Sequence, residues 1–168
     1  MDVLRAPWRM DYINSSKGDK DENPCFFCAY SGQRTDEENL IVARGATCFA
    51  LLNRYPYSNG HVMIAPYRHT ADMTSLTDEE KLEIMTFAQQ TITALQSVMG
   101  PGGFNIGINL GKIAGAGVDQ HMHMHVVPRW SGDTNFMSVT AETKVLPEAL
   151  SVTRLKLSQA WPIINQAS

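Results

Sequence analysis

The chain has no apolar run approaching the ~20 residues that span a bilayer, so no membrane association is expected. It also carries little charge: 18% of residues are charged and the formal net charge is -3. Such a balance offers no global attraction for nucleic acid, and any polyanionic ligand would have to be held by a local set of donors. Cysteine is scarce as well. Cys25, Cys28 and Cys48 are odd in number and too few for a disulfide framework, while Cys25 and Cys28 form a C-x-x-C pair compatible with zinc or redox chemistry. The first ten residues contain an early acid and no continuous apolar stretch, so no secretory signal is read and a cytoplasmic location is expected. No internal repeat or low-complexity tract occurs. What remains is a chain of 168 residues, 43% of them hydrophobic, which suffices for one domain with a real core.

Polar loops from Ser15 to Asn23 and from Ser31 to Asn39 bracket the cysteine pair. Short β-branched or apolar runs, Ile41 to Ala43, Thr47 to Leu52 and His61 to Ala65, read as three strands joined by hairpins, with Asn59-Gly60 as a turn. A helix is expected after Thr77, which with Glu80 forms a capping box, and Met85, Ala88, Ile92, Leu95 and Met99 mark its buried stripe. Gly100 to Gly103 stops it. Phe104 to Leu110 alternates apolar with polar or small residues, a half-buried strand, and a glycine-rich loop from Gly111 to Gly117 follows. A last helix is expected from Pro147 towards Trp161, ended by Pro162.

Five histidines occur, and three stand at alternate positions in His121-Met122-His123-Met124-His125. In a strand, alternate side chains share a face, so this run lines up three imidazoles on one surface. Three readings stay open on spacing alone: packing or surface histidines, metal ligands, or a nucleophile with neighbours that bind and orient.

The longer string His121 to Asp133, with its hydrophobic Val126-Val127 and Pro128-Arg129 before Gly132-Asp133, resembles the histidine triad (HIT) family of nucleotidyl hydrolases and transferases. Leu51-Leu52-Asn53-Arg54-Tyr55-Pro56, Gly60 to Pro66 and Arg68 also look like its dinucleoside polyphosphate branch, typified by the fragile histidine triad protein. The resemblance runs from about Cys25 to Asp133 and implies an α+β fold, an antiparallel sheet of about five strands with packed helices. It divides the chain into an N-terminal extension, 1–24, a core, 25–135, and a C-terminal segment with a helix, 136–168. Ala6 to Ile13 looks like the extension of bacterial members, some of them phosphorylases.

The resemblance implies cleavage of a dinucleoside polyphosphate such as diadenosine tetraphosphate. His123 would attack the α-phosphate to form a nucleotidyl-histidine, His125 would contact the phosphate or bridging oxygen, and water or inorganic phosphate would accept. Asn53 matches the asparagine that contacts the nucleoside, although it is also a turn residue. Asn109 and the Gly111 to Gly117 loop can donate to phosphate. The better-known members carry Gln at Gly117 and often Ser or Thr at Val118; the amides of Gly117 and Val118, or Gln120, are the candidate replacements. Arg129 is either an anion contact or a structural cap. The zinc-containing relatives imply four ligands here, Cys25, Cys28, His69 and His121, a closed structural site whose loss should loosen the catalytic strand. Cys48 reads as a buried thiol and His61 as a satisfied core histidine. A homodimer is implied, and a divalent cation accompanying the polyphosphate would ease charge repulsion. The alternatives are an adenosine phosphoramidate hydrolase, a nucleotide-binding signalling module with little turnover, and a zinc hydrolase using the triplet as ligands.

Overall fold

The computed structural model describes residues 25–133 and 148–162. The expected extension 1–24 and Pro147 lie outside these residues. The described residues begin with helix α1 (Phe26–Gly32), followed by strands β1 (Ile41–Arg44), β2 (Cys48–Leu52) and β3 (Val62–Pro66). Helix α2 (Asp78–Met99) leads to β4 (Gly103–Ile108) and β5 (Met124–Arg129), and α3 (Leu150–Ala160) follows. The five strands form one antiparallel sheet in the order β1-β2-β3-β5-β4. No described helix is long and apolar enough to cross a membrane.

Period-2 alternation divides the sheet's side chains between two cores. Cys48, Ala50, Leu52, Val62, Ile64, Met122, Met124 and Val126 join the core beneath α2 and α3. Phe49, Leu51, Met63 and Ala65 join a second core that includes Phe27 of α1. The methionines between the histidines are therefore core residues, and the histidines face the other way. Asn59-Gly60 makes the expected tight turn, with Gly60 at φ +80°; a Cβ there would come within 2.8 Å of Leu95 Cδ2, so the turn packs directly on α2.

The start of α2 is set by Thr77, whose side chain accepts from Glu80 N while the Glu80 carboxylate accepts from Thr77 N. Left-handed Gly100 ends it. Its buried line differs from the expected stripe. Ile84, Phe87, Ala88, Thr91, Ala94 and Leu95 face inward, whereas Met85 is 54% exposed. Met85 lies about 100° around the helix from Ile84, which is 3% exposed. The last helix begins at Leu150, and Trp161 is its C-cap.

The histidine run also differs in detail. The ladder between β4 and β5 begins at the Ile108–Met124 pair, so His121 and His123 precede β5 and only His125 lies within it. The ladder with β4 stops at Met124, so no β4 residue pairs with residues 121–123. Their alternation nevertheless persists, and Met122 N donates to Thr70 O at 2.7 Å.

Candidate functional site

His123 and His125 line a cleft of about 270 Å³ whose other walls come from α1, β2, β3 and the segments after β2 and before β5. Phe26, Tyr30, Leu51, Met63 and Val118 give it mostly apolar walls, with Asn39, Asn53, Arg54 and Tyr55 as polar or amphipathic members. A narrow, largely apolar cavity with a few polar groups suits a flat, amphipathic ligand.

The hydrogen bonds fix how each imidazole presents its nitrogens. His123 Nδ1 lies 2.9 Å from His121 O; the carbonyl can only accept, so Nδ1 carries the proton and a neutral ring has its lone pair on Nε2. His61 Nδ1 accepts from Tyr57 N at 3.1 Å, so neutral His61 is protonated on Nε2, which lies 2.9 Å from His125 Nδ1. His125 therefore accepts at Nδ1 and carries its proton on Nε2. One imidazole therefore has an acceptor at Nε2 and its neighbour a donor at Nε2. Their ring centroids are 4.7 Å apart in a T-shaped arrangement.

His121 serves a different cluster. Its Nε2 donates to Pro66 O at 2.9 Å, which leaves Nδ1 as an acceptor 3.3 Å from Cys25 Sγ and 3.6 Å from Cys28 Sγ. His69 Nδ1 is 3.2 Å from Cys28 Sγ, and the four ligand atoms all lie within 4.8 Å of one another. Zn–S bonds of ~2.3 Å and Zn–N bonds of ~2.0 Å at tetrahedral angles place sulfur and nitrogen about 3.5 Å apart, so the donor set fits a closed tetrahedral metal site. Burial pushes His121 below the ordinary histidine range, which favours the neutral form that a metal ligand needs. The carbonyl of Pro66 fixes its ring, as ligand-orienting partners do.

Phe27 joins the two clusters. It is fully buried, and its ring centroid lies 5.0 Å from that of His121 and 4.9 Å from that of His123.

The expected binding residues divide. Asn53, Gly117 and Val118 line the cleft, and Asn53 Oδ1 also accepts from Tyr55 N at 2.8 Å, so its turn role and its place at the site coexist. Asn109 is half-buried outside the cleft lining, its Nδ2 3.5 Å from Gly115 O, and Gln120 is exposed and also outside the lining. The loop closes on itself through Ala114 N to Gly111 O and Gly115 N to Lys112 O, so it is the end at Gly117 and Val118 that reaches the cleft. Arg129 lies outside the lining too, gripping Asp133 at 2.6 and 2.9 Å and Asn105 at 2.9 Å.

Sequence reasoning placed His61 in the core, and it is fully buried, but it bonds to His125 and so belongs to the site. Phe26, Tyr30 and Asn39 were missed. The aromatic residues beside Cys25 and Cys28 were the available signal, since a helix turned to the metal carries its neighbours to the cleft.

Residues 34–132 match the HIT domain family. The chain is 43% identical over 162 residues to the AP-4-A phosphorylase of Mycobacterium tuberculosis, covering 94% of this chain and 83% of that protein. It is 32% identical over 105 residues to the adenosine 5'-monophosphoramidase of Schizosaccharomyces pombe, covering 62% and 74%. Among solved structures, a Zn-bound histidine triad family protein from Mycobacterium smegmatis matches with a TM-score of 0.66 and 27% identity over 82% of this chain and 93% of that one. With the family match across most of its described core, the M. tuberculosis relative across 94% of this chain, and three imidazoles at alternate positions leading into β5 of a five-stranded sheet, the chain belongs to the HIT family.

Proposed function

We propose that the protein is a nucleotidyl transferase that cleaves dinucleoside polyphosphates such as diadenosine tetraphosphate. The observation that carries this reading is the opposite presentation of two adjacent imidazoles, His123 with its lone pair on Nε2 and His125 with its proton on Nε2. His123 Nε2 attacks the α-phosphorus, the bond from phosphorus to the bridging oxygen breaks, and His125 gives its proton to that oxygen. The leaving group from diadenosine tetraphosphate is ATP. The adenylyl-histidine then transfers to an acceptor, whose proton returns to His125. Water yields AMP and inorganic phosphate yields ADP. The relationship to a protein named AP-4-A phosphorylase supports phosphate as acceptor.

In this reading the apolar walls hold the nucleoside, Asn53 contacts it, and the backbone at Gly117 and Val118 contacts phosphate. Asn109, Gln120 and Arg129 then act from outside the cleft, Arg129 by bracing Asp133 and Asn105. The cation at Cys25, Cys28, His69 and His121 is zinc, supported by two thiolates with two imidazoles, and it ties α1 to the segment before β5 without entering the reaction. A divalent cation accompanies the polyphosphate. The division at 24 and 135, a homodimer and cytoplasmic residence complete the proposal. The exposed apolar face of edge strand β4 supports the dimer, and paired metal-binding thiols suit a reducing compartment.

The test is turnover of diadenosine tetraphosphate with and without inorganic phosphate, reading products by chromatography. ADP formed only with phosphate establishes a phosphorylase and AMP formed without it a hydrolase. Turnover of an adenosine phosphoramidate with none of the polyphosphate would support the second reading, which the S. pombe relative favours.

A further inference from the structure

Asn39 is 7% exposed, yet it lines the cleft. Its Nδ2 donates to Gln33 Oε1 at 2.9 Å and to Thr35 Oγ1 at 3.0 Å, so both amide hydrogens are engaged. Among the described residues no donor to its Oδ1 is found, so the group it offers a ligand is a hydrogen-bond acceptor.

The loop that holds Asn39 is braced from beneath. The Arg44 guanidinium donates to Ser31 O at 2.9 Å, Tyr30 O at 3.1 Å, Gln33 O at 2.7 Å and the Asp36 carboxylate at 2.8 Å. The next residue, Leu40, has φ +57°, the one left-handed non-glycine among the described residues. Such a backbone conformation persists where surrounding structure over-determines it. Asn39 lines the cleft, while the side chain of Leu40 joins the core beneath α2 and α3.

Leu52 N donates to Leu40 O at 2.9 Å, which sets Asn39-Leu40 alongside Leu52-Asn53. The two carboxamides are complementary. Asn53 has its Oδ1 engaged by Tyr55 N and is left with amide hydrogens to donate, whereas Asn39 is left with an acceptor. Each hydroxyl of a vicinal diol can both donate and accept, so a diol can satisfy both residues at once. Phe26, Leu51, Met63 and Val118 give the same cleft apolar walls, and Tyr30, Arg54 and Tyr55 also line it.

Resting on the nucleotide reading above, we propose that Asn39 is a specificity-determining residue that accepts a hydrogen bond from a ribose hydroxyl while Asn53 donates to the same diol. The site then selects ribose over deoxyribose.

Calorimetric titration of the metal-loaded protein with AMP, 2'-deoxy-AMP, 3'-deoxy-AMP and GMP tests this. AMP is expected to bind about five- to tenfold more tightly than at least one deoxy form. Asn39→Leu should weaken AMP to the level of that deoxy form and leave the deoxy form itself unchanged. Asn39→Asp should restore the preference, because Gln33 can turn its amide and Thr35 its hydroxyl to donate to the new carboxylate. Equal weakening of AMP and both deoxy forms by Asn39→Leu, or no sugar preference in the wild type, overturns the proposal while the nucleotide reading survives. A change in AMP against GMP with no change in sugar preference also overturns it, moving Asn39 to the base. Failure of every nucleotide to bind the wild type overturns the nucleotide reading and this assignment with it.

Discussion

His61 Nε2 lies 2.9 Å from His125 Nδ1, and through this contact a fully buried histidine outside the triad determines which nitrogen of His125 holds the proton at the cleft. Tyr57 N, 3.1 Å from His61 Nδ1, fixes the direction of the chain of donors, and the Tyr57 ring stacks on His61 with centroids 5.0 Å apart. Replacing His61 with Phe keeps a buried ring and removes the donor. The expected result is a fall in kcat of about tenfold with KM little changed, since a buried hydrogen bond of this kind contributes about 1–2 kcal/mol. Wild-type kcat in steady-state assays of His61→Phe would remove His61 from the positioning role.

His123→Ala should eliminate turnover, a loss of at least about 10³-fold, while leaving fold and metal content intact. The check is quenched incubation with radiolabelled substrate. The wild type should carry label on one histidine, and the variant none. A variant that turns over at near wild-type rate would show that another group attacks phosphorus.

Purified protein should contain about one zinc per chain, and less than about a tenth of an equivalent after mild purification would remove the metal from the proposal. Cys28→Ser should lower the melting temperature by on the order of 5 °C. The loss should also show in the imidazole signals of His123, because Phe27 rests on both His121 and His123. Unchanged His123 signals in the metal-free protein would mean that the two clusters are independent.

Glu83 of α2 accepts from Ala46 N at 2.8 Å, Thr47 N at 2.5 Å, Thr47 Oγ1 at 2.6 Å and Cys48 N at 2.8 Å, holding the β1–β2 turn. Desolvation raises its pKa, but these donors outweigh burial and hold the carboxyl below the ordinary glutamate value of 4.5. A depressed carboxyl pKa means that the stabilisation is fully present above pH 4.5 and is lost as pH falls through the lower folded value. Glu83→Gln should therefore destabilise the protein by about 1–2 kcal/mol at pH 7 and by less at pH 3. Urea denaturation at both pH values would measure this, and an equal difference at the two would refute the assignment.

Ile106, 46% exposed on edge strand β4, leaves an apolar face and an unpaired strand edge at one side of the sheet. If two copies meet there, Ile106→Glu should convert a dimer to a monomer in sedimentation experiments, since an uncompensated charge would be buried at the contact. A wild-type monomer at about 100 μM would end the homodimer proposal.

The sequence alone determined the features written in local order: strand alternation, the Thr77–Glu80 capping box and the Asn59-Gly60 turn; the candidate ligands Cys25, Cys28, His69 and His121, whose ligand atoms the fold brings within 4.8 Å of one another, come from the family resemblance. The local features are legible because capping and turns act over a few residues, and because period 2 sends Met122 and Met124 one way and the histidines the other. Only the tertiary structure decided which partner each polar group meets. Arg129 turns to Asp133 and Asn105, His61 meets His125, and Asn39 lines the cleft beside a left-handed Leu40. Each outcome depends on residues distant in the chain or on a backbone angle that no side-chain pattern encodes. The misplaced Met85 has the same origin: two neighbouring stripes fit the helix equally well in sequence, and the sheet beneath α2 selects the one containing Ile84.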